Sequence, residues 1–262
     1  MSMFTVAIIS AAGGSGRSTL AANLASLLAQ RGMPPFALEF DPQNLLATLL
    51  GSEAPPDDGL LTDFMGNKPF GASALCNSDN VGFLPFGHAN KQDAAGFEQQ
   101  LRSTPGWLRN CLAQIDFADD TILLIDTPRL PSIHACQAVE AADLVLSVLM
   151  PDVRSMTLLP AAQATALTDC GRQKPLLHVI NALDSTREHH NRLAAELRAR
   201  LRQDLVPEIV HRDTAIAQAL ANSVSVIDAS PDSLVVHDMN GVVNALLARR
   251  AAASGKACQC HA

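Results

Sequence analysis

Short apolar runs alternate along the chain with longer segments whose apolar residues recur at helical spacing. The runs have the length of buried strands, and the amphipathic segments between them are typical of helices. This alternation predicts an α/β fold, with a mostly parallel β-sheet covered by helices on both faces. The predicted strands are residues 6–9, 36–40, 81–86, 121–125, 143–150, 176–180 and 205–210.

The helical pattern and the turn-forming residues divide the rest of the chain. A helix opens at Ser18, and another follows Pro42, a residue favoured in the first helical turn. Residues 51–79 are rich in Gly, Pro, Asp and Asn and predict a surface excursion with a brief amphipathic patch. Further helices are predicted at residues 94–112, 155–169, 187–203, 214–222 and 233–252, with a helix of about ten residues before the strand at 143–150. We therefore expect a single domain over residues 1–252 and a flexible tail over residues 253–262.

Composition and charge narrow the class of protein. The chain has 262 residues, of which 48% are hydrophobic, enough for a large core. A net charge of −7 argues against a nucleic-acid backbone or an anionic membrane as the main partner. No apolar run reaches the ~20 residues of a membrane span, and the first residues lack a basic leader. Four scattered cysteines are typical of reduced thiols, so we expect a cytoplasmic protein. The role of Cys258 and Cys260 is left open.

The first predicted strand is followed by a glycine-rich loop. Gly13, Gly14 and Gly16 lie just before a helix, an order in which backbone N–H groups and the helix start surround an anion. The Walker A pattern G-x-x-x-x-G-K-S/T is matched at the second glycine and at the hydroxyl residue, whereas Ala11 and Arg17 depart from it. A plain turn is the alternative, but it needs fewer glycines. A guanidinium is a planar fork rather than a compact charge, so the loop predicts phosphate binding with impaired hydrolysis.

Other polar residues follow the predicted strands directly. Asp41, Asp126 and Asn181 come at the ends of three strands. Ligands of open parallel sheets bind at the carboxyl ends of the strands, so these residues and the loop are expected to share one edge. Each aspartate is also a candidate helix cap. Residues 181–184 have the outer residues of the guanine motif N-K-x-D without its lysine, which favours a different base.

These motifs in this order resemble the MinD/ParA group of deviant-Walker ATPases over nearly the whole domain. Four stretches, residues 39–46, 83–87, 124–129 and 209–213, are similar to the narrower BcsQ/YhjQ family. Members of that family are encoded with bacterial cellulose synthases and support assembly or localisation of the secretion complex. The resemblance implies a P-loop NTPase fold that takes ATP or ADP with Mg²⁺.

The resemblance also implies roles for individual residues. Ser18 and Asp126 would hold the metal, the latter through water, and Asp41 would position the attacking water. Asn181 would contact the adenine, with backbone near Pro207 lining the base pocket. The phosphates would be wrapped by Gly13, Gly14, Ser15, Gly16, Arg17, Ser18 and Thr19.

Three positions depart from the group's pattern. The signature lysine, which reaches the partner subunit's nucleotide in a dimer, is replaced by Ala12. Arg17 stands for the loop lysine, and Glu39 is the first acid of the second-strand motif. These departures imply weak or absent ATP hydrolysis.

The implied function is that of a regulatory or scaffold protein for a cellulose synthase or secretion complex. The alternatives are an active MinD/ParA-type positioning ATPase and a nucleotide-free interaction protein. We expect a homodimer or a complex with a small partner protein of the secretion machinery, and no nucleic acid. Residues 242–252 have two basic residues, Arg249 and Arg250, too few for direct membrane attachment. Membrane contact is therefore expected only indirectly, through recruitment by partners to the inner membrane. Dimerisation without the signature lysine and the identity of the partner are left open.

Overall fold

The computed structural model describes residues 3–88, 90–166, 173–222 and 224–259, with side chains as far as residue 255. Seven strands form one sheet in the order β3-β4-β2-β5-β1-β6-β7. All neighbouring strands are parallel except β3, which is antiparallel to β4. The strands are β1 Phe4–Ile9, β2 Pro35–Glu39, β3 Leu75–Cys76, β4 Gly82–Leu84, β5 Ile122–Asp126, β6 Leu144–Leu149 and β7 Leu176–Ile180.

Helices connect the strands and continue after the last of them. A short 3-10 helix, Arg202–Asp204, follows α8. The α-helices are α1 Arg17–Gln30, α2 Leu46–Leu49, α3 Leu60–Met65, α4 Lys91–Ser103, α5 Trp107–Leu112, α6 Ile133–Ala141, α7 Val153–Ala164, α8 Glu188–Leu201, α9 Thr214–Ala221, α10 Val226–Ala229 and α11 Leu234–Gln259. The α/β fold with a mostly parallel sheet is thus confirmed.

The sheet is buried on both faces because successive strand residues point to opposite sides. In β1, Val6 and Ile8 pack with apolar residues of α1 and α11, whereas Ala7 and Ile9 pack on the other face with residues of α4 and α6. A third apolar cluster joins the ends of β6 and β7 to α8. No helix among the described residues is long and apolar enough to cross a membrane.

The start of the second predicted helix is wrong. The helix α2 begins only at Leu46, so Pro42 lies in the preceding turn rather than in the first helical turn. The side chain of Glu39 explains the shift, since its Oε1 accepts the backbone N–H groups of Leu45 and Leu46. A buried carboxylate, rather than a proline, therefore determines where this helix begins.

The last predicted strand, residues 205–210, is also wrong. The segment runs beside β7, but within it only Leu205 forms a bridge, to His178. The next bridge, from His211 to Leu183, lies just beyond it. Pro207 has no N–H to give to a ladder, so regular pairing stops there.

The C-terminal ends of helices α7 and α11 differ from the predicted bounds. Helix α7 runs from Val153 to Ala164, and residues 167–169 of the predicted helix lie outside the described residues. Helix α11 continues to Gln259, beyond residue 252. The backbone of 253–259 is therefore helical, the flexibility expected there stays a prediction, and residues 260–262 lie outside the described residues.

Candidate functional site

The glycine loop lies between β1 and α1 at the carboxyl edge of the sheet. Gly14 has φ 71° and Gly16 has φ 86°, left-handed conformations that favour glycine. Gly16 is also the N-cap of α1, and no described side chain caps this helix. The first N–H groups of the helix are therefore presented without a competing side-chain acceptor, as an anion site requires.

A cleft of about 370 Å³ opens in front of this loop. Its volume lies in the usual range for small-molecule sites. Residues 14–19 form one wall, and Asp41, Gln43, Leu45 and Leu220 contribute to the others. The loop and Asp41 are thus brought together as the sequence predicts, whereas Asn181 and Pro207 do not line this cleft.

Arg17 is buried and joins three segments at the end of the sheet. Its Nε donates to the carbonyl of Thr127 at 2.8 Å, and its Nη1 donates to the carbonyl of Ala12 at 3.4 Å. Its Nη2 lies 3.8 Å from Oδ2 of Asp41. Burial lowers the pKa of Arg17, while the carboxylates of Asp126 and Asp41 oppose that shift. The guanidinium therefore connects the loop with the ends of β2 and β5.

Asp126 ends β5 and is fully buried. Neither of its carboxylate oxygens has a hydrogen-bond partner among the described residues. Burial raises its pKa to about 7, and the nearby Ser18 hydroxyl and Arg17 guanidinium act in the opposite direction. An unpartnered buried carboxylate beside a hydroxyl fits a hydrated Mg²⁺, which binds through one or two carboxylates, water and phosphate oxygens.

Two further carboxylates lie at the end of β2. Asp41 is 3% exposed, and its Oδ1 accepts the N–H of Gln43 at 3.0 Å. Burial raises the pKa of Asp41, an effect that the Gln43 N–H and Arg17 counteract. Glu39 is in register with Asp126, and burial raises its pKa to about 8. Because Glu39 holds the start of α2, its role is to position the segment that carries Asp41.

Asn181 follows β7 and contacts the loop directly. Its Nδ2 donates to the carbonyl of Ser15 at 2.7 Å. A methyl group added at Gly16 would lie 2.4 Å from the same Nδ2, so only glycine fits there. The structure therefore brings Asn181 to the phosphate loop, while its contact with a base stays a prediction.

Pro207 lies in the segment that runs beside β7. The N–H of Val206 donates to His178 and that of Val210 donates to Ile180, at 2.8 and 2.9 Å. This parallel alignment places Pro207 between the levels of His178 and Ile180, the last residue of β7, so it lies near the carboxyl end of the strand. Its place in a base pocket stays a prediction. Further along the segment, His211 pairs with Leu183, in the loop that follows β7.

Sequence reasoning missed Arg129. This exposed side chain lies over the glycine loop, because a methyl group added at Gly13 would be 3.7 Å from its Cδ and 3.8 Å from its Nη1. Its charge also lowers the pKa of Arg17. The available signal was a basic residue three positions after Asp126, at a strand end already expected to face the loop.

Comparison with known proteins identifies the family. A profile of the family "Cellulose biosynthesis protein BcsQ" matches residues 3–247. The chain belongs to the BcsQ family. Its relatives include the cell division protein PomZ of Myxococcus xanthus, 24% identical over 251 residues that cover 94% of this chain and 78% of PomZ.

Solved structures of other proteins have the same fold as this BcsQ family member. A variant of McdA from Cyanothece in complex with ATP has a TM-score of 0.77 and 19% identity, covering 93% of this chain and 96% of that one. MinD from Pyrococcus horikoshii with Mg-ADP has a TM-score of 0.72 and 18% identity, covering 94% and 96%. The fold is therefore that of the MinD/ParA-type P-loop ATPases.

Proposed function

We propose that this BcsQ family protein binds ATP or ADP with Mg²⁺ at residues 13–19, hydrolyses ATP slowly, and supports assembly or localisation of a bacterial cellulose synthase complex. The observation that carries the proposal is the unpartnered carboxylate of Asp126 beside Ser18, at a loop whose helix start has no side-chain cap. The ATP and Mg-ADP complexes of McdA and MinD support the nucleotide class.

The chain's own residues divide the work of binding. The backbone N–H groups of residues 13–19 would hold the phosphates, and Ser18 and Asp126 would hold Mg²⁺, which neutralises phosphate charge when bound. Arg129 would add a cation from above the loop. Asn181 would keep the loop in shape through Ser15 and face the adenine.

Slow hydrolysis follows from the positions of the cations. Phosphoryl transfer is accelerated by cations that stabilise the transition-state charge near the γ-phosphate. Arg17 donates instead to the carbonyls of Thr127 and Ala12, and Ala12 replaces a charged residue of the family pattern. Asp41, which would position the attacking water, lies 3.8 Å from Arg17. Binding and turnover are therefore separable in this protein.

Calorimetry with ATP, ADP and GTP, with and without Mg²⁺, tests the nucleotide site. We expect Mg²⁺-dependent binding of the adenine nucleotides and turnover below ~1 s⁻¹, the low end for enzymes. The double variant Ala12→Lys/Arg17→Lys should hydrolyse ATP faster, and Arg154→Lys is the matched surface control. Failure to bind any nucleotide refutes the site, and turnover of tens per second refutes the account of Arg17.

The proposed cellular role has its own test. Cellulose output is measured in cells that lack the gene and carry either the wild type or Asp126→Asn. We expect the variant to lose cellulose output, because its Mg²⁺–nucleotide state is lost. Full output from a variant that does not bind nucleotide would show that the complex does not depend on this site.

A further inference from the structure

A second cleft, of about 570 Å³, lies between the end of α8, residues 202–207 and helix α11. It shares no lining residue with the cleft at the glycine loop. Leu177, Leu205 and Val206 line it and are nearly fully buried. This volume and this recessed apolar lining are typical of a site that admits another group rather than of a flat surface.

Three arginines are the charged residues that line this cleft: Arg198, Arg202 and Arg249. Among the described residues none of them forms an ion pair. Two of them are held in place by backbone carbonyls of residues that line the cleft. Arg198 donates to the carbonyl of Pro207 at 3.0 Å, and Arg249 donates to the carbonyl of Gln203 at 3.1 Å. A protein with a net charge of −7 thus concentrates positive charge around one apolar cleft.

The backbone at Arg202 adds an independent observation. Arg202 has φ 49° and ψ −113° where α8 ends, a conformation that long side chains rarely adopt. Such strain costs free energy and persists only where the surrounding structure enforces it, often at functional sites. A glycine would adopt this conformation without strain. Local backbone preference therefore does not explain why an arginine occupies this position.

We propose that this cleft, lined by Arg198, Arg202 and Arg249 over an apolar floor, binds a short acidic segment of a partner protein. Carboxylates fit the planar donor fork of arginine, and apolar side chains beside them would cover Leu205, Ala245 and Ala248. Charge complementarity and the concave shape together specify this occupant. The proposal does not depend on nucleotide binding, because the two clefts are separate.

The shape of the cleft disfavours the two other anionic partners. A bilayer is entered by apolar side chains that protrude, whereas Leu177 and Val206 are 2% and 0% exposed at the floor. A nucleic-acid backbone needs a track of positive charge and gains nothing from a recessed apolar floor. A peptide with alternating acidic and apolar side chains uses both features at once.

Fluorescence anisotropy with a labelled peptide of alternating glutamate and leucine tests the proposal in the full chain without nucleotide. We expect saturable binding that weakens with salt and falls at least tenfold in Arg202→Glu/Arg249→Glu. Arg192→Glu, an exposed arginine of α8 outside the cleft, should bind like the wild type. A peptide of alternating lysine and leucine should not bind.

Further outcomes decide against the proposal. Equal loss in Arg192→Glu would show a general charge effect, and equal binding of the lysine peptide or none of the glutamate peptide would overturn it. Phosphatidylglycerol vesicles that bind through the same arginines, without peptide binding, would replace it with a membrane site. Arg202→Gly keeps the test valid if charge reversal impairs folding, because it should raise the melting temperature and still weaken peptide binding.

Discussion

The contact between Gly16 and Asn181 predicts a specific pattern of stabilities. Gly14 and Gly16 both have positive φ, so alanine at either position costs about 1–2 kcal/mol of backbone strain. The surroundings differ, because a methyl group at Gly14 would meet no atom within 4 Å, whereas at Gly16 it would lie 2.4 Å from Nδ2 of Asn181. Gly14→Ala is therefore a control with the same strain and no clash.

The additional cost at Gly16 is the loss of the bond between Asn181 and Ser15. The methyl group displaces the amide from the Ser15 carbonyl, which it contacts at 2.7 Å. Losing a buried hydrogen bond and leaving an acceptor unpaired costs about 1–3 kcal/mol. We expect about 1.5 kcal/mol of destabilisation for Gly14→Ala and about 3.5 kcal/mol for Gly16→Ala.

Urea unfolding followed by the fluorescence of Trp107, the single tryptophan, measures these differences. Asn181→Ala alone should cost about 2 kcal/mol. Combined with Gly14→Ala its cost should add, and combined with Gly16→Ala it should add almost nothing, because the same bond is lost once. Equal costs for the two glycine variants, together with additivity at Gly16, would refute the contact.

Three other predictions concern charge. Burial lowers the pKa of His178 to about 4 from the usual 6.5. Below pH 6.5 the unfolded chain therefore binds a proton that the folded chain does not, and stability falls as the pH is lowered towards 4. His178→Leu should remove about 2 kcal/mol of the stability loss between pH 7.5 and 5, whereas the exposed control His189→Leu should not. Asp126→Asn should raise the stability of the nucleotide-free protein in urea unfolding, because it removes an unpartnered buried carboxylate, and should abolish the Mg²⁺ dependence of ATP affinity in calorimetry. Arg129→Ala should weaken ATP binding about tenfold, or ~1.4 kcal/mol, with unfolding unchanged within about 0.5 kcal/mol. Retained affinity would show that this arginine does not reach the phosphates.

The sheet was predictable because its strands are short apolar runs with one conformation open to them. Residues 176–180 form β7 as expected, and the loop, Asp41, Asp126 and Asn181 lie at one edge because parallel strands end together. The irregular pairing of residues 205–210 with β7 was not predictable from the apolar run alone. An apolar run indicates burial, whereas the height of a residue along its neighbour depends on hydrogen bonds such as that from Val206 to His178.

The contacts between side chains within the site were even less predictable from the sequence. Glu39 was expected as a variant motif acid, but its contacts with α2 depend on a turn of the chain between residues 40 and 44. Arg129 and the 202–207 cleft depend on packing between segments far apart in sequence. Period and propensity describe local structure and give no information about such contacts.

Arg17 shows how a departure from the loop pattern still connects nucleotide to shape. A lysine has one ammonium at the end of a flexible stem, whereas the Nε, Nη1 and Nη2 atoms of Arg17 face Thr127, Ala12 and Asp41 separately. Phosphate oxygens that recruit this guanidinium compete with those three groups. In the proposed nucleotide complex this competition would release the segments after β2 and β5 from the loop, with the free energy of phosphate binding offsetting the contacts that are lost. Under the proposed slow hydrolysis, the same guanidinium would therefore make the conformation of both segments depend on whether nucleotide is bound.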